Sequence, residues 1–217
     1  MKTIEDYWDK KFKEKGHIWG NEPSKSALIT ESFLSARGFK KGKILDIACG
    51  YGRDSKYFTD NGFDTTGIDI SAEGIAMAKK QYPDVKFMIG DILHLPFQTS
   101  SFDYVFGNFI LHLLLKDLRF KLIKETSRLI KPGGILVFSV ASIEDVDFGK
   151  GETKDTNCFV NARGVMKYYY SKEAIYNEFK DFEIMAIHDI EEIHDHDGIH
   201  KHKSYLLFVR KRNGRND

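Results

Sequence analysis

The sequence predicts an α/β fold, a parallel sheet covered on both faces with a helical cap at its N-terminus. Three observations carry that expectation. From Lys43 onward, short apolar runs alternate with segments of helical periodicity, which is the pattern of βαβ units. The turn Gly50-Tyr51-Gly52 separates the first such run from the helix after it. Residues 1–42, ahead of that run, carry helical periodicity only.

The elements follow in order. Ile4, Tyr7, Trp8, Lys11 and Phe12 recur at helical spacing within Ile4–Lys15, an apolar stripe opposite Lys and Glu. A turn-rich stretch with Trp19, Gly20 and Pro23 leads to Ser24, a residue suited to cap a second helix that buries Leu28, Ile29, Phe33 and Leu34. Strands are expected at Ile44–Ala48, Thr65–Ile70, Val85–Ile89, Tyr104–Asn108 and Ile135–Ala141, with helices at Asp54–Asn61, Ala72–Tyr82 and Lys116–Ile130. Lys131-Pro132-Gly133-Gly134 reads as a turn, with Pro and Gly where a turn needs fixed and positive φ. A helix near Lys172–Phe179 and strands at Phe182–Asp189 and Ser204–Lys211 complete the chain.

Composition narrows the function classes. In 217 residues, 33 Lys and Arg balance 32 Asp and Glu for a net charge of +1, which argues against a basic nucleic-acid glove or an acidic tail. Seventeen Phe and ten Tyr supply a substantial core. Cys49 and Cys158 are too far apart for a disulfide framework or zinc ribbon. The charged segment Met1–Lys15 is unlike a signal peptide, and no apolar run nears the roughly 20 residues that span a bilayer. The expectation is a cytoplasmic protein, monomeric or homodimeric, with no membrane or nucleic-acid partner.

The strongest local signal is Ile44-Leu45-Asp46-Ile47-Ala48-Cys49-Gly50-Tyr51-Gly52-Arg53. An apolar strand ends near an acid, and a Gly-x-Gly turn then opens a helix whose first N–H groups lack partners. Ligands of open α/β sheets bind at this edge. Asp69 ends the second strand, 19 positions after Gly50, where a carboxylate can accept from both ribose hydroxyls. Asp91 follows the third strand, suited to an adenine amino group, and Asn108 follows the fourth. Each acid taken alone reads equally as a loop residue or helix cap.

Over roughly Lys43–Lys211 the chain resembles the class I S-adenosylmethionine-dependent methyltransferases. The carriers are Asp46–Gly52, Gly67-Ile68-Asp69-Ile70-Ser71, Gly90-Asp91-Ile92, Ser101-Phe102-Asp103-Tyr104-Val105 and Leu129-Ile130-Lys131-Pro132-Gly133-Gly134, in that order. It is most similar to the small-molecule group related to tellurite-resistance and thiopurine methyltransferases, through Tyr7-Trp8…Phe12, Trp19-Gly20…Pro23-Ser24 and Gly52-Arg53-Asp54-Ser55. Ala48 stands where that family more often has Gly, a methyl group read here as tolerable.

The resemblance implies a Rossmann-like, doubly wound, mostly parallel seven-stranded sheet with an antiparallel last strand. Residues 1–42 would form a helical cap or lid on a methyltransferase domain of residues 43–217. The implied cofactor is S-adenosylmethionine. Asp46, Ala48, Gly50 and Gly52 would line its methionine part, Asp69 and Ile70 its ribose, and Asp91 and Ile92 its adenine. Arg53 would lie near the carboxylate or support the loop, and Trp19 and Asn108 would complete the cofactor site.

The methyl acceptor would be a small molecule: a thiol, metalloid oxyanion, amine or similar. A general base is needed only if that acceptor is protonated near neutral pH. Asn108 and His112 straddle the end of the fourth strand and are candidates for acceptor-facing roles, against backbone capping and plain packing. Tyr168, Tyr169 and Tyr170 read as core or as pocket walls, and Tyr7, Trp8 and Trp19 as core or as a lid.

The run His194-Asp195-His196-Asp197-Gly198-Ile199-His200-Lys201-His202 lacks zinc-box spacing. It reads as a solvated hairpin, an anion site or, less simply, a metal site, and no metal is expected. In tellurite-type relatives this region carries a catalytic histidine, and His200 is the positional match. Lys211, Arg212 and Arg215 read as a frayed basic terminus. Three other functions stand beside methyl transfer to a small molecule. A nicotinamide oxidoreductase is opposed by Ser55, which precedes Lys56 and stands where a third glycine would fall, and by Asp91. A non-catalytic S-adenosylmethionine-binding module uses the same fold. An RNA or protein methyltransferase is opposed by the near-neutral charge.

Overall fold

A computed structural model describes residues 3–162, 164–195 and 199–212, with side chains at 193–195 and 199–200 excepted. Two capped helices come first, α1 (Ile4–Lys15) and α2 (Lys25–Ala36). The Thr3 hydroxyl accepts the Asp6 N–H, and Asp6 in turn accepts the Thr3 N–H, a reciprocal capping box. Ser24 caps α2, as its residue type predicts, by accepting the Ala27 N–H at 3.1 Å.

The chain then alternates strand and helix: β1 (Lys43–Ile47), α3 (Arg53–Asp60), β2 (Asp64–Asp69), α4 (Ala72–Gln81), β3 (Lys86–Ile89), β4 (Phe102–Asn108), α5 (Lys116–Leu129) and β5 (Ile130–Ala141). After β6 (Glu152–Asp155), β7 (Cys158–Val160) and β8 (Met166–Tyr168) come α6 (Lys172–Glu178), β9 (Phe182–Asp195) and β10 (Ile199–Lys211). Seven strands form one sheet in the order β3-β2-β1-β4-β5-β10-β9. The first five pair in parallel, and β10 runs antiparallel to both β5 and β9. This is the doubly wound, mostly parallel architecture with an antiparallel last strand.

Alternation along the strands divides the core. Leu45, Ile47, Val105, Leu136 and Phe138 face α5 and α6, while Ile44, Phe106, Val137 and Phe208 face α2 and α3. Chain order reverses between β1 and β4, so a crevice opens at their carboxyl ends.

The structure adds to or departs from these expectations at four places. Residues 152–168, to which the sequence assigned no element, form a small antiparallel sheet β6-β7-β8. The turn expected at 131–134 keeps its positive φ at Gly133 (75°) but is embedded in β5, whose pairing with β4 begins at Phe102–Ile130 and shifts register before Tyr104. A 3-10 turn at Leu111–Leu113 follows β4. Lys211 is not frayed, since its Nζ bonds the carbonyls of Ser127 at 2.8 Å and Ile130 at 3.2 Å. Arg215 and the tip Asp197-Gly198 lie outside the described residues, although the arms of that hairpin pair up to Asp195–Ile199.

Candidate functional site

The glycine turn at the end of β1 is left-handed at three positions: Ala48 (φ 55°), Gly50 (φ 56°) and Gly52 (φ 81°). Glycine tolerates this region, whereas an L side chain there costs about 1–2 kcal/mol. Ala48 is therefore strained, a feature that its small methyl group concealed in the sequence. A second left-handed residue, Phe109 (φ 54°), immediately follows β4. Both flank the crevice, where such strain tends to gather.

Three carboxylates are buried along this edge. Asp46 accepts the Ser55 hydroxyl at 2.5 Å. Burial foremost, then the charge of Asp54, pushes its carboxyl well above the usual range. Asp69 is held through both oxygens, by the Gly50 N–H and the Ser71 N–H, each at 2.8 Å. Its carboxyl is also raised, chiefly by burial. Asp54, in the first turn of α3, accepts from the Ser24 N–H at 2.7 Å, the Ser24 hydroxyl at 2.8 Å and Asn108 Nδ2 at 3.4 Å. The sequence pointed to Asp46 and Asp69 but not to Asp54 or Ser24. The acid inside Gly52-Arg53-Asp54-Ser55 was the available signal.

Arg53 supports the loop. Its Nη1 bonds the carbonyls of Trp19 and Glu22, and its Nε lies 3.9 Å from Asp54. Tyr51, also missed, is buried beneath the same loop. Its hydroxyl accepts the Trp19 N–H at 3.0 Å and donates to the Gly20 carbonyl at 2.8 Å. Trp19 stacks on Tyr51 with ring centres 6.0 Å apart and stays half exposed. Trp8 lies 5.9 Å from both Phe12 and Trp19, so the N-terminal aromatics form one cluster over the glycine turn.

At the far side of the crevice, Asp91 accepts the Leu93 N–H at 2.8 Å and meets His94 Nδ1 at 2.9 Å. Ile70 directly follows β2, Ile92 directly follows Asp91 after β3, and both are half-buried. At the end of β4, Asn108 Oδ1 is buried without a partner, as are His112 Nδ1 and the Ser139 hydroxyl. Asn108 and Ser139 are register partners on adjacent parallel strands, so their side chains share a face. His112 packs edge-on against Phe109 at 5.5 Å. Burial, with Lys167 nearby, pushes its imidazole down to about 3.

Tyr169 and Tyr170 are buried, and Tyr168 carries the Arg119 guanidinium 3.8 Å above its ring. Arg119 in turn pairs with Glu178 at 2.8 Å. The three tyrosines are thus divided between core and the lining of a groove of about 550 Å³ between α5, α6 and the small sheet. The His200 side chain lies outside the described residues. His202 belongs to a group with Asp145 and Asp147 whose ligand atoms fall within 4.8 Å of one another. Asp145 already accepts the Asp147 N–H at 2.9 Å, the Lys203 N–H at 2.8 Å and a His202 Nδ1 contact at 3.0 Å. That geometry ties the turn after β5 to β10.

The donor set fits S-adenosylmethionine. Three buried acids with one guanidinium among them favour a ligand that brings its own positive charge. The unpartnered Asn108 oxygen offers an acceptor to an N–H or O–H.

Residues 45–138 match the family model described as a methyltransferase domain. The chain is 32% identical to a malonyl-[acyl-carrier protein] O-methyltransferase of Enterobacter lignolyticus, over 56% of this chain and 47% of the relative. It thus spans about half the length of the curated relatives it matches. Among solved structures it resembles the 1,6-didemethyltoxoflavin-N1-methyltransferase of Burkholderia thailandensis, with TM-score 0.73, 18% identity and coverage of 96% and 87% of the two chains. It also resembles TehB of Haemophilus influenzae, with TM-score 0.67, 18% identity and coverage of 94% and 67%. At these identities the structural likeness concerns the fold. No helix among the described residues is long and apolar enough to cross a membrane.

Proposed function

We propose, from the class I S-adenosylmethionine-dependent methyltransferase domain that the chain carries at its centre, that the protein transfers the cofactor's methyl group to a small-molecule acceptor. One observation carries the reading: Asp69 ends β2 with each oxygen aligned by a main-chain N–H, beside a glycine turn that opens α3. A carboxylate so held keeps free lone pairs for two ribose hydroxyls. The small-molecule part is supported by the toxoflavin-type structural neighbour, named with its acceptor and S-adenosylhomocysteine bound, and by the near-neutral charge of the chain.

S-adenosylmethionine supplies a methyl group already activated by its sulfonium. The chain's work is to bind, orient and exclude water. The cofactor's cationic end would offset the burial that raises the Asp46 and Asp54 carboxyls, and so favour their charged forms. Asp69 and Ile70 hold the ribose, and Asp91 and Ile92 the adenine. Arg53 and Tyr51 pin the segment 19–22, so that Trp19 closes over the glycine turn. Asn108 accepts a hydrogen bond at the end of β4. His112, kept neutral by burial, leaves its Nδ1 open to a hydrogen bond and is too weak a base to hold a proton. Catalysis then rests on alignment, and the acceptor enters in its reactive form.

A coupled homocysteine-release screen over thiols, metalloid oxyanions, amines and small carboxylates tests the proposal. Turnover of at least one class is expected. Tight S-adenosylhomocysteine binding with no turnover of any class would favour a non-catalytic binding module instead.

A further inference from the structure

Asp9 and Phe12 stand three positions apart on α1 and so share one helix face. Phe12 is buried in a notch left by two glycines. A Cβ on Gly50 would lie 3.2 Å from its ring, and one on Gly74 would lie 3.1 Å from it. Asp9 Oδ1 accepts both the Ser71 hydroxyl and, at 3.1 Å, the Glu73 N–H, which covers the N-terminal end of α4. Ser71 is the link to the crevice. Its N–H is donated to Asp69, whose other oxygen takes the Gly50 N–H. A continuous path of hydrogen bonds therefore runs from α1 through the cap of α4 to the acid at the end of β2 and the glycine turn.

We propose that Asp9 is a positioning residue of the cofactor site: by holding Ser71 it fixes Asp69, so that docking of α1 and binding of the cofactor favour each other. This rests on the cofactor reading of Asp69 above. Coupling of this kind is reciprocal. The cofactor must tighten α1 by the same factor by which docked α1 tightens the cofactor. Both contacts fall on one oxygen of Asp9, so an asparagine there can keep them and an alanine cannot. Gly74 offers an independent handle. Alanine is the better helix former by about 1 kcal/mol, yet its Cβ would press on Phe12.

The test is calorimetric titration of S-adenosylhomocysteine into the wild-type protein, Asp9→Ala, Asp9→Asn and Gly74→Ala, with amide exchange over residues 4–15 measured with and without it. Asp9→Ala is expected to bind about tenfold more weakly, a loss of charge-assisted hydrogen bonding, and Asp9→Asn within about threefold of wild type. Exchange in α1 should slow on binding in wild type and Asp9→Asn but not in Asp9→Ala. Gly74→Ala should bind more weakly with an unchanged or raised melting temperature, which separates lost coupling from lost folding. Wild-type binding with Asp9→Ala inside about twofold of it, or with α1 exchange unaltered, overturns this inference alone. No binding by the wild-type protein overturns the cofactor reading and this inference with it.

Discussion

Replacing Asp69 by alanine perturbs two quantities whose sizes follow from the structure. The carboxylate is buried and accepts two main-chain N–H groups at 2.8 Å, from Gly50 and Ser71. An unpaired buried N–H costs about 1–3 kcal/mol, and water entering the vacated space offsets part of that. The apo protein should therefore lose about 2 kcal/mol of stability, read by urea denaturation at unchanged m-value. The same substitution removes the acceptor for the ribose hydroxyls and lets the glycine turn drift. Affinity for S-adenosylhomocysteine, read by calorimetry, should fall about ten- to a hundredfold, equivalent to about 1.4–2.7 kcal/mol. A folded Asp69→Ala protein with wild-type affinity would refute the assignment of Asp69. Lost stability with intact binding would make the residue a purely structural cap.

Other substitutions probe separate parts of the account. Ala48→Gly relieves a left-handed alanine but adds chain entropy to the unfolded state, so a net gain of about 0.5–1 kcal/mol is expected by thermal unfolding; a loss would mean the Ala48 methyl is packed usefully. His112 is neutral in the folded state, its pKa pushed from about 6.5 down to about 3. Its folded-state pKa is depressed, so its contribution is fully present above pH 6.5 and is lost as pH falls towards 3. At pH 5 wild type should have lost about 2 kcal/mol relative to His112→Gln, and parallel pH profiles would show that the imidazole titrates normally. Glu178→Ala strands the buried Arg119 and the Tyr170 hydroxyl, which donates to Glu178 at 2.9 Å. A loss of about 3–5 kcal/mol follows, and a change below 1 kcal/mol would show water replacing the carboxylate.

The framework was legible because central parallel strands are buried on both faces and read as apolar runs. The runs at Ile44, Thr65 and Tyr104 appear as β1, β2 and β4 with ends shifted by one or two residues. The small sheet gave no such signal. Every residue of β6 is exposed, so neither periodicity nor apolarity marks it. Strand-end acids were legible for the same reason as the strands, since Asp46 and Asp69 occupy positions that sheet geometry defines. Asp54 was not, because its partners Ser24 and Asn108 lie 30 and 54 positions away and meet only through packing. The strain at Ala48 and Phe109 was equally hidden, since backbone φ leaves no mark on residue type when a non-glycine residue bears it. Arg53 was left between two roles, because its bonds to the Trp19 and Glu22 carbonyls join residues 31 to 34 positions apart and form only through packing.

Calorimetric titration of the wild-type protein with S-adenosylhomocysteine and, separately, with NAD tests the central claim most directly. The arrangement of Asp46, Asp69 and the Gly50–Gly52 turn predicts saturable one-to-one binding of S-adenosylhomocysteine, and Ser55 in place of a third glycine, with Asp91 after β3, predicts no heat of binding with NAD. Binding of NAD, or no binding of S-adenosylhomocysteine by folded protein, would contradict it.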